Sequence, residues 1–146
     1  MKNQKNIWLF ISLVVVAGLS RLLPHPPNFT AIGAMALFGG AIINSKVLKY
    51  LLPLGALLIS DLVLNNTIYS SGEFSLYYPG MIWVYGAFIV IAFVGSKLNN
   101  TNVKSILGGS IGSALLFFVV TNFGYWASGV TYPLTLEGFT ACYIAA

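Results

Sequence analysis

Apolar residues run along this chain in long blocks, parted by short polar segments. A helix that crosses a membrane needs about 20 mostly apolar residues. The first block, Ile7 to Leu23, is stopped by Pro24-His25-Pro26-Pro27, which cannot continue a helix. A second runs from Phe29 to Asn44 and is short and rich in small residues. The third, Leu48 to Leu64, carries Pro53 near its start, where proline is tolerated. After a polar loop, Asn65 to Gly80, come a fourth block, Met81 to Val94, and a fifth, Ser105 to Ala127. A sixth begins near Leu134 and is cut off at Ala146, with Thr140 to Ala146 reading as a helix in mid-course. The pattern predicts an all-α integral membrane protein: one transmembrane domain over residues 1–146, a bundle of five full spans plus a truncated sixth. A transmembrane barrel is excluded, because its strands alternate apolar and polar residues. Leu13 to Ala17 and Leu115 to Val120 are unbroken apolar runs. Lys2 and Lys5 ahead of Ile7 to Val16 also fit a signal peptide, but the apolar stretch continues to Leu23 and more spans follow, so a retained helix is expected.

Composition agrees. Of 146 residues, 58% are hydrophobic and 7% charged, too few charges to cover a surface in water. The formal net charge of +4 does not suggest nucleic acid, because the lysines stand singly between apolar runs and form no basic face. They report orientation instead. Lys2 and Lys5, Lys46 and Lys49, and Lys97 and Lys104 fall in three segments that must share one side. The positive-inside rule puts that side in the cytoplasm, with the N-terminus, and makes the chain a multi-pass protein of the cytoplasmic membrane. Tyr77, Tyr78, Trp83 and Tyr85 gather at the outer start of the fourth span, and Tyr125, Trp126 and Tyr132 at the outer end of the fifth. Most of these read as boundary-seeking belt residues. The single cysteine, Cys142, excludes a disulfide framework and reads as a packing thiol.

Lipid tails are as apolar as leucine, so spans associate through small residues. Gly33, Ala36 and Gly40 share a face of the second span, and Gly108 and Gly112 stand at GxxxG spacing on the fifth. Internal packing is the favoured reading for both. Two ionisable residues lie within spans, Arg21 and Asp61, both near outer ends. Such residues point to function by default. Asp61 and Asn65 share a helical face, as do Asn122 and Trp126. If the outer helix ends meet, Arg21, Asp61, Asn122 and Trp126 line one pocket, with His25 and Asn28 above it, suited to a zwitterionic small solute. Plainer readings stand beside this. Arg21 can snorkel to the headgroups, Asp61 can brace a neighbouring helix, and Asn122 can join helices by a hydrogen bond. His25 has no second metal ligand nearby. No nucleophile elbow, phosphate loop or metal-binding helix motif occurs, so no catalytic residue, metal or cofactor is expected.

The run Arg21 to Gly40, RLLPHPPNFTAIGAMALFGG, resembles the opening signature of an uncharacterised family of bacterial membrane proteins described as transport proteins. Ser60-Asp61-Leu62, Thr121-Asn122-Phe123-Gly124, Tyr132-Pro133 and Cys142-Tyr143 resemble its later motifs. That family is similar to the substrate-binding S components of energy-coupling-factor (ECF) vitamin transporters. The resemblance implies a six-helix bundle that binds a vitamin-like solute at its outer side and docks on a shared energising module through small residues. S components usually carry alanines four apart on the first helix; here Ala17 is followed by Arg21, which breaks that pattern, so either Ala36 with Gly40 substitutes or docking does not occur. A substrate-binding transport subunit is the leading expectation. A scaffold of the cell envelope, using its glycine faces, is the alternative. An enzyme acting on lipid, with Asp61 or His25 as its group, ranks a distant third.

Overall fold

A computed structural model describes residues 2–22, 32–69, 72–98 and 102–146, with the side chains of residue 8 and of residues 11–22 in the first segment. Every regular element in these residues is a helix. In chain order they are α1 (Lys2–Ser20), α2 (Ile32–Ile42), α3 (Leu48–Thr67), α4 (Met81–Gly95), α5 (Val103–Ala127) and α6 (Leu136–Ile144).

Local chemistry sets several of the boundaries. The Asn102 side chain accepts from the Lys104 amide and starts α5, and the Thr135 side chain accepts from the Gly138 amide and starts α6. Ahead of α4 the chain turns at Pro79-Gly80, where Gly80 adopts φ 86°, a conformation that favours glycine.

The expectation of five full spans is corrected. Among the described residues only α3, with 20 residues, and α5, with 25, are long and apolar enough to cross a membrane. α2 has 11 residues and α4 has 15. At 1.5 Å per residue they reach roughly 16 and 22 Å, against about 30 Å of hydrocarbon. Hydropathy counts apolar residues whether or not they are helical. The second apolar block runs on to Asn44, past the end of α2 at Ile42, and residues 43–44 are not helical, so its helix falls short of the block. α6 spans nine residues and ends at Ile144.

The core lies where α2 and α4 meet, flanked by α1 and α3. Ala17, Ile32, Ala36, Leu37, Leu57, Phe88, Ile91 and Ala92 form one buried cluster. The α2–α4 contact is made by backbone. A Cβ at Gly40 would run into the Ala92 carbonyl oxygen, and one at Gly95 into the Leu37 carbonyl oxygen. The small-residue face of α2 thus packs internally, as expected. The Gly108–Gly112 face of α5 does not: a Cβ at either position meets nothing within 4 Å.

These two glycine pairs should respond in opposite ways to alanine. Gly40→Ala or Gly95→Ala forces the α2 and α4 backbones apart and should cost about 1–3 kcal/mol or more. Gly108→Ala or Gly112→Ala adds a methyl to open space in a helix and should be neutral or stabilising by about 0.5–1 kcal/mol. Thermal unfolding of the purified variants in detergent distinguishes the two classes, and equal losses at both pairs would contradict the packing described.

Candidate functional site

Arg21 follows the last residue of α1, where a turn bond from its amide to Gly18 O, 3.3 Å, continues the winding. Its Nη1 reaches across to α3, lying 2.6 Å from Asp61 Oδ1. The same nitrogen donates to Ser60 Oγ at 2.6 Å and, more weakly, to Leu57 O at 3.4 Å. The Ser60 hydroxyl donates in turn to Leu57 O, 2.9 Å. The second Asp61 oxygen accepts from Tyr85 Oη at 2.9 Å and from Tyr78 Oη at 3.3 Å. One carboxylate therefore gathers α1, α3, α4 and the segment before α4.

Burial makes the arrangement consequential. The Asp61 side chain is 5% exposed and that of Arg21 16%. A buried charge is tolerable only when paired and hydrogen-bonded, and here the cation and two hydroxyls supply both. Tyr78 feels the reverse effect. Its burial, and then the neighbouring Asp61 charge, push its hydroxyl well above the ordinary tyrosine range, so it stays protonated and able to donate.

Asn66 holds Tyr78 in place. Its Nδ2 donates to Leu62 O, 2.8 Å, and to Ser75 O, 3.0 Å, while its Oδ1 accepts from the Ser75 amide, 2.8 Å. That clamp folds the segment after α3 back over the helix end.

The pair borders a cavity of about 640 Å³. Arg21, Asp61, Asn65, Tyr69, Tyr78 and Tyr125 supply its polar lining. Phe88 and Phe117, whose ring centres lie 5.1 Å apart, form part of its apolar wall. A neighbouring cavity of about 550 Å³ shares Tyr78, Pro79, Val84 and Tyr125 with it and adds Asn122 and Tyr132.

The residues singled out in the sequence divide into three groups. Arg21 and Asp61 are brought together, and Asn65 shares their cavity. Asn122 lines the neighbouring cavity, with its Nδ2 donating back to Phe118 O at 2.7 Å and its carbonyl facing Cys142 Sγ at 3.5 Å. Trp126 is used elsewhere: its Nε1 donates to Pro133 O, 3.0 Å, and its ring packs edge-on against Phe139. His25 and Asn28 lie outside the described residues. Snorkelling of Arg21 is not what the structure shows, since its guanidinium turns inward to Asp61.

Sequence reasoning missed Ser60, Asn66, Tyr78 and Tyr85 as parts of the site. The signal for the tyrosines was the Asp itself, because a carboxylate inside an apolar helix needs more donors than one arginine. Ser60 was in view only as part of a motif.

The chain belongs to a family of unknown function, DUF6580, whose model matches residues 1–146. No curated protein and no solved structure matches the chain.

Removing one member of the buried pair should cost much more than removing both. Arg21→Met leaves the carboxylate uncompensated and should destabilise by about 3–5 kcal/mol. The Arg21→Met/Asp61→Leu double variant should recover part of that loss, and Tyr85→Phe should cost about 1.5–3 kcal/mol, as for a hydrogen bond to a charged group. A double-mutant cycle of unfolding midpoints is the check, and strictly additive losses would show that Arg21 and Asp61 act independently.

Proposed function

We propose that this chain is a polytopic protein of the cytoplasmic membrane that captures a small solute from the outer side and acts as the substrate-binding subunit of a transporter, in the manner of ECF S components. The membrane setting is supported by the outward helix faces. α4 is apolar all round, with Ile82, Ile89, Val90 and Phe93 exposed. On α5, Leu107, Ile111, Leu115 and Val119 are exposed along one side. A helix apolar on its outer face belongs in lipid or under another protein. In this reading α3 and α5 cross fully, and the chain also crosses at the shorter α2 and α4, which are helical over only part of the thickness.

The observation that carries the solute reading is the Arg21–Asp61 pair with its two tyrosines, opening on a cavity of about 640 Å³. Small-molecule sites commonly have volumes of about 300–1,000 Å³ and a few convergent polar groups in apolar walls. Arg21 suits the carboxylate of a solute, Asp61 its amino or other donor group, and the tyrosine rings its apolar body. A zwitterionic or vitamin-like molecule would slip between charges that neutralise each other when the site is empty. The outer placement rests on the lysines. The site is built at the end of α1 and α3 and the start of α4, whereas Lys46 precedes α3, Lys49 lies in its first turn, Lys97 follows α4 and Lys104 lies in the first turn of α5. These lysines lie at the opposite helix ends, which the positive-inside rule assigns to the cytoplasm.

Docking on an energising module cannot use Ala36 and Gly40. Ala36 is fully buried and Gly40 abuts α4. The open Gly108–Gly112 face on the lysine-bearing half of α5 is free for a partner helix. The same face favours the second reading, an envelope scaffold that holds a protein partner.

The test is to purify the full chain directly from membranes, denature it and identify released small molecules by mass spectrometry, with Asp61→Asn alongside. One compound at about one per chain, lost in the variant, is the expected result. A stoichiometric protein partner retained by Asp61→Asn but lost on Gly108→Leu, with no compound released from either sample, would replace the transport reading with the scaffold.

A further inference from the structure

The cavity of about 550 Å³ beside the charged site has a polar group of its own. Tyr78, Pro79, Val84 and Tyr125 border both spaces, so the two adjoin along that strip. Asn122, on α5, lines the second space and not the first. The residue is 7% exposed. Its Nδ2 donates one hydrogen to Phe118 O, 2.7 Å away and one turn back on the same helix. The other Nδ2 hydrogen and Oδ1 have no partner among the described residues. The side chain therefore joins no second helix there, so a brace between helices is not the role the geometry shows. Nor is it sealed off. Among the described residues the polar side-chain atom that is both closed off and unpaired is Ser113 Oγ. Asn122 Oδ1, unpaired too, thus keeps accessible surface, and the space its residue lines is this cavity.

A buried amide with half its capacity unused is disfavoured unless something pairs with it. The walls restrict what that is. No charged side chain is among the described residues that line this cavity. A carboxylate would answer the free N–H and repel Oδ1, and an ammonium would do the reverse. A donor and an acceptor side by side answer both, as on the cis-amide edge of a lactam or pyrimidinedione ring. Tyr125 and Tyr132 line the same cavity, their rings edge to face with centres 6.2 Å apart. They offer aromatic surface to a flat ring. The Tyr125 hydroxyl is already paired with Thr131 Oγ1 at 2.7 Å, which leaves the ring edge to Asn122.

Resting on the solute reading of Arg21 and Asp61, we propose that the two cavities form one site with two ends. Its solute carries a charged end, held by Arg21 and Asp61, and a flat uncharged ring whose cis-amide edge pairs with Asn122. Asn122 is then the residue that selects the ring, and the link between the two ends passes the shared strip at Tyr78 and Tyr125.

The full chain in phosphatidylcholine nanodiscs is titrated by calorimetry with two probes. One is an amino acid whose side chain is a uracil ring. The other is phenylalanine, with the same charged end and a ring of similar size that lacks the amide edge. The uracil compound should bind about ten- to thirtyfold tighter, the worth of two hydrogen bonds. Asn122→Leu should erase that preference and leave phenylalanine as it was. Ala145→Trp gives a second check that spares the Phe118 bond, because Ala145 is exposed and lines only the second cavity. Its bulk should erase the preference as well. Asp61→Asn should weaken both probes alike. Equal binding of the two probes, both lost in Asp61→Asn, would overturn the amide end and leave the charged site standing. A uracil preference that survives Asn122→Leu and Ala145→Trp would overturn the role of Asn122. Binding of the uracil compound that is unchanged in Asp61→Asn but lost in Asn122→Leu would overturn the two-ended solute from the other side, because the charged reading beneath it would have failed. No binding of either probe to the unaltered chain would refute the proposed solute class.

Discussion

The contact between Arg21 and Asp61 ties the ends of α1 and α3 to each other, and through Tyr78 and Tyr85 to α4. Either charge alone in this setting would carry a heavy desolvation cost. Together, with Ser60 on the cation side and two phenols on the anion side, they are tolerable. The geometry of the polar cavity follows from that requirement. Its lining is polar where the carboxylate needs donors and apolar where Phe88 and Phe117 close the core. The clamp of Asn66 on Ser75 belongs to the same logic, because it holds the segment that delivers Tyr78.

Below the pair, order comes from contact of backbones. Gly40 and Gly95 let α2 and α4 approach until each glycine faces a carbonyl of the other helix. In the proposed membrane setting apolar side chains gain nothing from association, so such close approach, with its dispersion and weak hydrogen bonds, is the available attraction. A rigid α2–α4 unit fixes Phe88 and Tyr85 on one helix at the same time. Phe88 belongs to the buried core, and Tyr85 reaches Asp61 from the same helix one turn earlier. Packing and site are thereby coupled through α4, so a change at Gly95 is expected to disturb Tyr85 without touching it.

How much of this was legible in the sequence depends on the residue. Arg21 and Asp61 were readable because ionisable residues in apolar helices are rare and must be accommodated. α3 and α5 were readable from their long apolar runs. Tyr78 and Tyr85 were not distinguishable from Tyr77 and Trp83, because a belt residue and an Asp ligand have the same composition and lie at the same depth. Trp126 shows the converse: its helical spacing from Asn122 was real, but Pro133 claims its N–H. The two glycine faces differ for another reason. Spacing tells which residues share a face and is silent on what lies opposite, so Gly40 is enclosed and Gly108 and Gly112 are open. Helix length in α2 was legible only as an upper bound, since apolar residues continue past the last helical turn.

Two serines make the same point about polar groups in an apolar bundle. Ser60 and Ser113 are both buried residues of long helices. Ser60 donates to its own helix and accepts from Arg21, which leaves its hydroxyl fully engaged. Ser113 has the same opportunity to bond back, yet its hydroxyl is buried without a partner among the described residues. Phe88 and Phe117 border both the charged cavity and an apolar one between α2, α4 and α5.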